Sequence, residues 1–195
     1  MDLSDARRTS GGPTLHEVTG TDAELLQVAA LLSEMDGETP LPLQRMRELF
    51  TQLKAMPDYR CYLMRSAAGE ALGTFCLLVF PVLAHDGRSE AIVESVVVTH
   101  AARGTGVGTA MMHAAMRLAE EAGASKLALS SSARRLQAHQ FYRRLGFTEH
   151  GTSFSIGRWR ALTSDCIPCV ESHGRSSRIS NGLARPRVRY GRRNH

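Results

Sequence analysis

One stretch of this chain limits its fold more than any other. The apolar run Val96-Val97-Val98 passes through Thr99-His100-Ala101-Ala102-Arg103 into Gly104-Thr105-Gly106-Val107-Gly108. Val107, Met111, Ala114, Leu118 and Ala122 then recur at helical spacing, which predicts a helix over about 106–122. Strand, glycine-rich turn and helix in that order make an α/β element. Glycine lets the backbone adopt positive φ and approach a ligand closely. The unpaired amides of a first helical turn, helped by the helix dipole, then converge on an anion, and phosphate or pyrophosphate fits best. The same pattern also occurs as a bare tight connection. Spacing excludes two familiar phosphate loops. No Lys-Ser or Lys-Thr follows Gly108, so this is not a Walker loop, and Thr109 stands where a dinucleotide fingerprint needs its third glycine.

The rest of the chain places that element in a mixed sheet. Residues 1–13, polar with Gly11, Gly12 and Pro13, are expected to be a flexible lead-in. Leu15 to Val18 is a candidate first strand. Thr21 and Asp22 mark a helix start, followed by Leu25, Leu26, Val28, Ala29, Leu32 and Met35 on one face. Gly37 to Pro40 breaks it, Pro42 opens a second helix, and Leu43, Met46, Leu49, Phe50 and Leu53 carry that helix to Met56. Tyr59 to Arg65, Leu72 to Leu83 and Ala91 to Thr99 read as strands, with turns at Ala68-Gly69 and His85-Asp86-Gly87. After the glycine-loop helix, Lys126 to Ser130 is a strand and Leu136 to Leu145 a helix stopped by Gly146. Phe147 to Ile156 is expected to close the sheet with one or two strands. The order β-α-α-β-β-β-α-β-α-β predicts an α/β fold with a mixed, mostly antiparallel sheet and flanking helices, not a doubly wound one.

Charge and cysteine content narrow the function. The net charge of +5 is carried by the tail: residues 160–195 hold eight arginines against Asp165 and Glu171, a local balance of +6. The tail lacks apolar periodicity and is expected to be disordered. Its arginines could touch nucleic acid or acidic membrane, but no specific nucleic-acid or membrane partner is expected for the folded part. No apolar run suits a bilayer span and Met1 to Thr14 has no secretory stretch, so a cytoplasmic location is expected. Cys61 and Cys76 lie in strand-like runs as small hydrophobes. Cys166 and Cys169 form a CxxC near His173, but a lone pair is not a metal site and none is expected.

Two motifs carry a family resemblance. Arg103-Gly104-Thr105-Gly106-Val107-Gly108 matches the pyrophosphate loop Gln/Arg-x-x-Gly-x-Gly/Ala. About 30 residues on, Ala138-His139-Gln140-Phe141-Tyr142-Arg143-Arg144-Leu145-Gly146-Phe147 matches A-x-x-F-Y-x-x-x-G-F in full. With both in order, the chain resembles the GNAT N-acetyltransferase superfamily over about residues 14–158. That assigns residues 14–159 to one acetyltransferase domain between the lead-in and the basic tail.

The resemblance implies a sheet whose fourth and fifth strands splay at a β-bulge, with the pantetheine arm of acetyl-coenzyme A in the gap. Backbone groups of Val96, Val97 and Val98 would then bind pantetheine and polarise the thioester carbonyl. Amides of Arg103, Gly104, Thr105, Gly106, Val107, Gly108 and Thr109 would hold the pyrophosphate, and Ser132, at the end of the fifth strand, would touch the cofactor. Tyr142 matches the tyrosine that protonates the departing thiolate, or packs on the cofactor. Glu94, four residues before Val98 and on the same face if alternation holds, would deprotonate the amine through water, or serve to orient it. His100, in the turn, is the poorer base. The segment Leu129 to Tyr142 looks closest to aminoalkylphosphonate and related small-amine acetyltransferases, which favours a small-molecule amine attacking directly in a ternary complex. A protein lysine or N-terminal amine is the alternative acceptor, and a non-catalytic acyl-coenzyme A binder the non-enzymatic alternative. Acidic Glu34, Asp36, Glu38 and Asp58 are candidates for attracting a cationic amine. A homodimer is compatible with the family.

Overall fold

The structure, a computed structural model, describes residues 12–37 and 39–151. The expectations for most of the lead-in, for the arginine tail and for the Cys166–Cys169 pair lie outside those residues.

The chain runs β1 (Thr14–Glu17), α1 (Asp22–Asp36), α2 (Leu43–Lys54), β2 (Tyr59–Arg65), β3 (Ala71–Pro81), β4 (Ser89–Val98), α3 (Val107–Glu121), β5 (Ala124–Ala128) and α4 (Leu136–Arg144), with short 3-10 turns at His85–Gly87 and His100–Ala102. The strands form one sheet in the order β1-β2-β3-β4-β5; every pairing is antiparallel except β4 with β5. The expected mixed, mostly antiparallel α/β sheet is what forms. No helix among the described residues is long and apolar enough to cross a membrane.

Helix α1 starts at a capping box. Thr21 Oγ1 accepts from the Glu24 amide, and Glu24 Oε2 accepts from the amides and hydroxyls of Thr19 and Thr21 and from the Gly20 amide. Burial alone would raise the Glu24 carboxyl, but these hydrogen bonds bring it down to about 2. Gly37, at φ 70, ends the helix in the left-handed conformation that a side chain resists.

Strand alternation divides the core between the two faces of the sheet. Tyr62, Met64, Phe75, Leu77, Ala91 and Val93 pack with α3 residues Met111, Met112 and Ala115. Cys61, Leu63 and Cys76 pack with α1 residues Leu25, Val28 and Ala29, and with Met46 of α2. Cys61 and Cys76 are cross-strand partners and remain free thiols.

Gly73 of β3 lies where the sheet and α3 come closest. A Cβ there would sit 2.5 Å from Met111 Sδ and 2.6 Å from the Val97 carbonyl oxygen, and the latter is backbone that cannot move aside cheaply. Gly73→Ala is expected to destabilise the fold by about 1–3 kcal/mol. Thermal denaturation checks it, at about 2–4 °C of Tm per kcal/mol for a chain of this size.

The sequence reading errs at the far edge of the sheet. The fifth strand is Ala124–Ala128, not Lys126 to Ser130, so Ser132 stands four residues beyond its end. Residues 147–151 form no strand, and the remainder of the expected closing strands, 152–156, lies outside the described residues. The reason at Phe147 is local. Its amide bonds to the Tyr142 carbonyl (3.1 Å) and the Gly146 amide bonds to the Arg143 carbonyl (3.0 Å), with Gly146 at φ 91. That is a Schellman cap, and the hydrophobic contact that accompanies such caps is the edge-on packing of Phe147 against Tyr142 at 5.8 Å. An amide committed to ending α4 cannot begin a ladder.

Candidate active site

A bulge in β4 arranges the site. Val97 pairs with Thr74 and Glu94 with Cys76, so Ser95 and Val96 together oppose Phe75. Ser95 takes φ 52, a left-handed conformation unusual for a residue other than glycine, asparagine or aspartate. The extra residue inverts the alternation. Val97 joins the face packed by α1 and α2, whereas Val96 and Val98 pack on the α3 face. Glu94 therefore does not share a face with Val98 as simple alternation requires. It sits opposite Cys76, and its carboxylate accepts a hydrogen bond from the Tyr59 hydroxyl, on the face toward α1 and α2. Burial, and next the hydrogen bond to Glu94, push the Tyr59 phenol well above its usual range, so Tyr59 remains the donor.

Beyond the first half of β4 the sheet opens. β4 and β5 pair between Ser89 and Ile92 on one side and Ala124 and Ala128 on the other, and no pairing continues from Val93 to Val98 among the described residues. On its other edge β4 stays paired to β3, as far as Gly73 with Val98. The splay is thus present, with the bulge at its mouth.

The glycine loop follows directly. Gly104 and Gly106 adopt φ 79 and 91, and a Cβ at either would meet nothing within 4 Å. Gly106 is the N-cap of α3, which has no side-chain cap, and the first in-helix amide bond runs from Ala110 to the Gly106 carbonyl. The amides of Val107, Gly108 and Thr109 therefore have no acceptor within the helix. Open space, positive φ and uncapped amides at the positive pole are what an anion requires, so the residues present fit the pyrophosphate of coenzyme A. Gly108 answers to packing: its Cβ would lie 3.4 Å from Phe141 Cζ and 3.5 Å from Val98 Cγ2. The ends of β4, α3 and α4 meet at that point.

The other expected site residues are distributed as follows. Arg103 donates from Nε to the Val98 carbonyl (3.1 Å), so one backbone acceptor at the end of β4 is already engaged. Thr105 turns its hydroxyl back to the Ala102 carbonyl (2.7 Å). Tyr142 packs against Phe141 at 5.3 Å as well as against Phe147. Burial raises its phenol above the usual range, against the opposing charge of Arg135. Ser132 belongs to the turn before α4: its carbonyl accepts from the Arg135 amide and from His139 Nε2, both at 2.9 Å. A cleft of about 810 Å³ opens between β5, Met116 of α3, Tyr142 and the segment to Gly151, and no residue of the glycine loop lines it.

Two side chains become significant only in three dimensions. Tyr59 meets Glu94 through sheet register across 35 residues, and no local pattern marks it. Glu34, one of the acids expected to attract a cationic amine, is bonded to the turn before the glycine loop, at Thr99 and His100. Asp58 faces Arg60 at 3.9 Å.

The sequence profile of the Acetyltransferase (GNAT) family matches residues 28–147, a span that contains the bulge, the glycine loop and Tyr142. The chain belongs to the GNAT acetyltransferase family. It is 32% identical over 131 residues to the rice (Oryza sativa subsp. japonica) protein named "Probable glucosamine 6-phosphate N-acetyltransferase 2", covering 65% of this chain and 77% of that one. A solved structure from Agrobacterium tumefaciens str. C58, described as an acetyltransferase, superposes with a TM-score of 0.68 at 25% identity, over 74% of this chain and 99% of that one. Glucosamine-6-phosphate N-acetyltransferase from Arabidopsis thaliana superposes with a TM-score of 0.65 at 16% identity, over 75% and 98%, which shows a shared fold. As a GNAT N-acetyltransferase, the chain belongs to a family that uses acetyl-coenzyme A as acetyl donor.

Proposed function

We propose that this GNAT enzyme acetylates the primary amine of a small molecule, and that the splayed end of β4, the glycine loop and Tyr142 form its acetyl-coenzyme A site. The observation that carries the proposal is the meeting of Val98, Gly108 and Phe141 beside an uncapped α3 N-terminus. Bound there, acetyl-coenzyme A supplies an acetyl group activated as a thioester. The free amides of Val107, Gly108 and Thr109 hold its pyrophosphate, while the Arg103 and Thr105 amides, expected to join them, already donate to the His100 and Ala102 carbonyls; backbone groups of Val96 to Val98 take the pantetheine. An amide aimed at the thioester oxygen stabilises the charge that develops as the amine adds. Glu94, steadied by Tyr59, receives the proton of the incoming ammonium through water. Tyr142 gives its phenol proton to the departing sulfur, and the second proton lost by the acylated nitrogen passes through water to restore the phenol. Cys61 and Cys76 are buried, which supports direct attack by the amine without a covalent enzyme intermediate.

The rice relative and a Trypanosoma brucei brucei relative, 33% identical over 82 residues, are named for glucosamine 6-phosphate. A phosphorylated amino sugar is therefore the first acceptor to test. Thiol release from acetyl-coenzyme A is expected with glucosamine 6-phosphate and to be much weaker with lysine-containing peptides. Release with the peptides alone would move the acceptor to protein amines. No release with any amine, despite acetyl-coenzyme A binding, would favour the non-catalytic binder.

A further inference from the structure

Glu34 is an acid in the last turn of α1, which contains no basic residue. The negative pole of a helix disfavours a carboxylate there, so nothing local explains the residue. Its contacts do. The Thr99 hydroxyl donates to Glu34 Oε1 at 2.9 Å, the His100 amide donates to Oε2 at 2.8 Å, and His100 Nε2 lies 3.9 Å from the same oxygen. The carboxylate is only 30% exposed. Burial would raise its pKa, but the His100 amide, the Thr99 hydroxyl and the charges of His100 and Arg103 hold it below the usual range.

The turn held by Glu34 connects β4 to the glycine loop, and it is tethered as well by the Thr99 amide, which donates to the Leu72 carbonyl (3.0 Å), and by the Arg103 bond back to Val98. The neighbouring Met35 carbonyl accepts from Arg135, the residue at the start of α4, at 3.3 Å. Adjacent residues of α1 thus reach the turn leading into α3 and the helix carrying Tyr142. Both of those elements meet at Gly108.

We propose that Glu34 is a positioning residue for acetyl-coenzyme A, its carboxylate holding the Thr99–His100 turn so that the glycine loop is preformed to receive the pyrophosphate. The inference rests on the acetyl-coenzyme A site proposed above. Glu34 touches no reacting atom and acts through the loop. A preformed loop needs little ordering when the ligand binds, and loosening it weakens binding without altering chemistry in the filled site.

The test compares the full chain with Glu34→Ala, Glu34→Gln and Thr99→Val. Calorimetry with coenzyme A, steady-state kinetics and amide hydrogen exchange over residues 99–108 of the free protein are the readouts. For Glu34→Ala, the Kd for coenzyme A and the KM for acetyl-coenzyme A are expected to rise about tenfold, as loss of charge-assisted hydrogen bonds implies. At saturating acetyl-coenzyme A, kcat and the acceptor KM are expected to stay within about twofold of wild type, and exchange over 99–108 to accelerate. Glu34→Gln should fall between. Thr99→Val combined with Glu34→Ala should be less than additive, because both remove the same bond. If Glu34→Ala fails to fold, Glu34→Gln and Thr99→Val carry the test. An unchanged Kd with unchanged exchange overturns the inference, as does a loss confined to kcat. Failure of wild type to bind coenzyme A refutes the site itself, and so is distinguishable from either result.

Discussion

Gly106→Trp is expected to weaken acetyl-coenzyme A binding by at least about 100-fold, equivalent to about 2.7 kcal/mol, while leaving the protein folded. Gly106 sits at φ 91 at the head of α3, and a Cβ there meets nothing within 4 Å. The Cβ has room there, and the indole it carries would compete for the space proposed for the pyrophosphate. Holding a residue with a side chain at positive φ costs about 1–2 kcal/mol, so Tm should fall by several degrees without loss of the cooperative transition. Gly106→Ala separates the two effects, since it carries the same backbone cost without the bulk. Calorimetric titration of wild type and both variants checks the expectation. Tight binding by a folded Gly106→Trp protein would move the cofactor away from the loop.

The second large effect is expected for Tyr142→Phe. The variant keeps the ring that packs on Phe141 and Phe147 and removes only the hydroxyl. If that hydroxyl protonates the departing thiolate, kcat should fall about 100-fold, at the lower end for general acid catalysis, with little change in the KM for acetyl-coenzyme A. Burial raises the phenol above its usual range, so its proton remains in place even at alkaline pH, where free amine is most abundant. The raised value also makes the transfer harder, which argues for a modest contribution. Steady-state rates with the best acceptor decide the matter. An unchanged kcat would reduce Tyr142 to a packing residue.

The Tyr142 motif shows how sequence and structure share the explanation. Phe141, Tyr142, Gly146 and Phe147 are legible as a family signature, yet Gly146 and Phe147 serve chiefly as the C-cap of α4. The helix start at Thr21 and Asp22, the strand Tyr59–Arg65 and the glycine loop are equally legible, because each depends on residues within one or two turns. The bulge follows from the family resemblance alone: nothing in Glu94-Ser95-Val96-Val97-Val98 marks Ser95 as the residue that enters the left-handed region, so simple alternation puts Glu94 on the wrong face. The end of β5, and with it the place of Ser132, escapes the sequence for a related reason: where a parallel strand stops depends on how far β4 stays beside it.

By itself, then, the sequence determined the α/β class, the element order and the glycine loop at the head of α3, since hydrophobic period, helix caps and glycine dihedrals are local properties. Only the tertiary structure decided that Tyr59 steadies Glu94, that Glu34 holds the turn ahead of the loop, and that Val98, Gly108 and Phe141 converge. Those contacts join residues up to 66 positions apart, and strand register and helix docking bring them together.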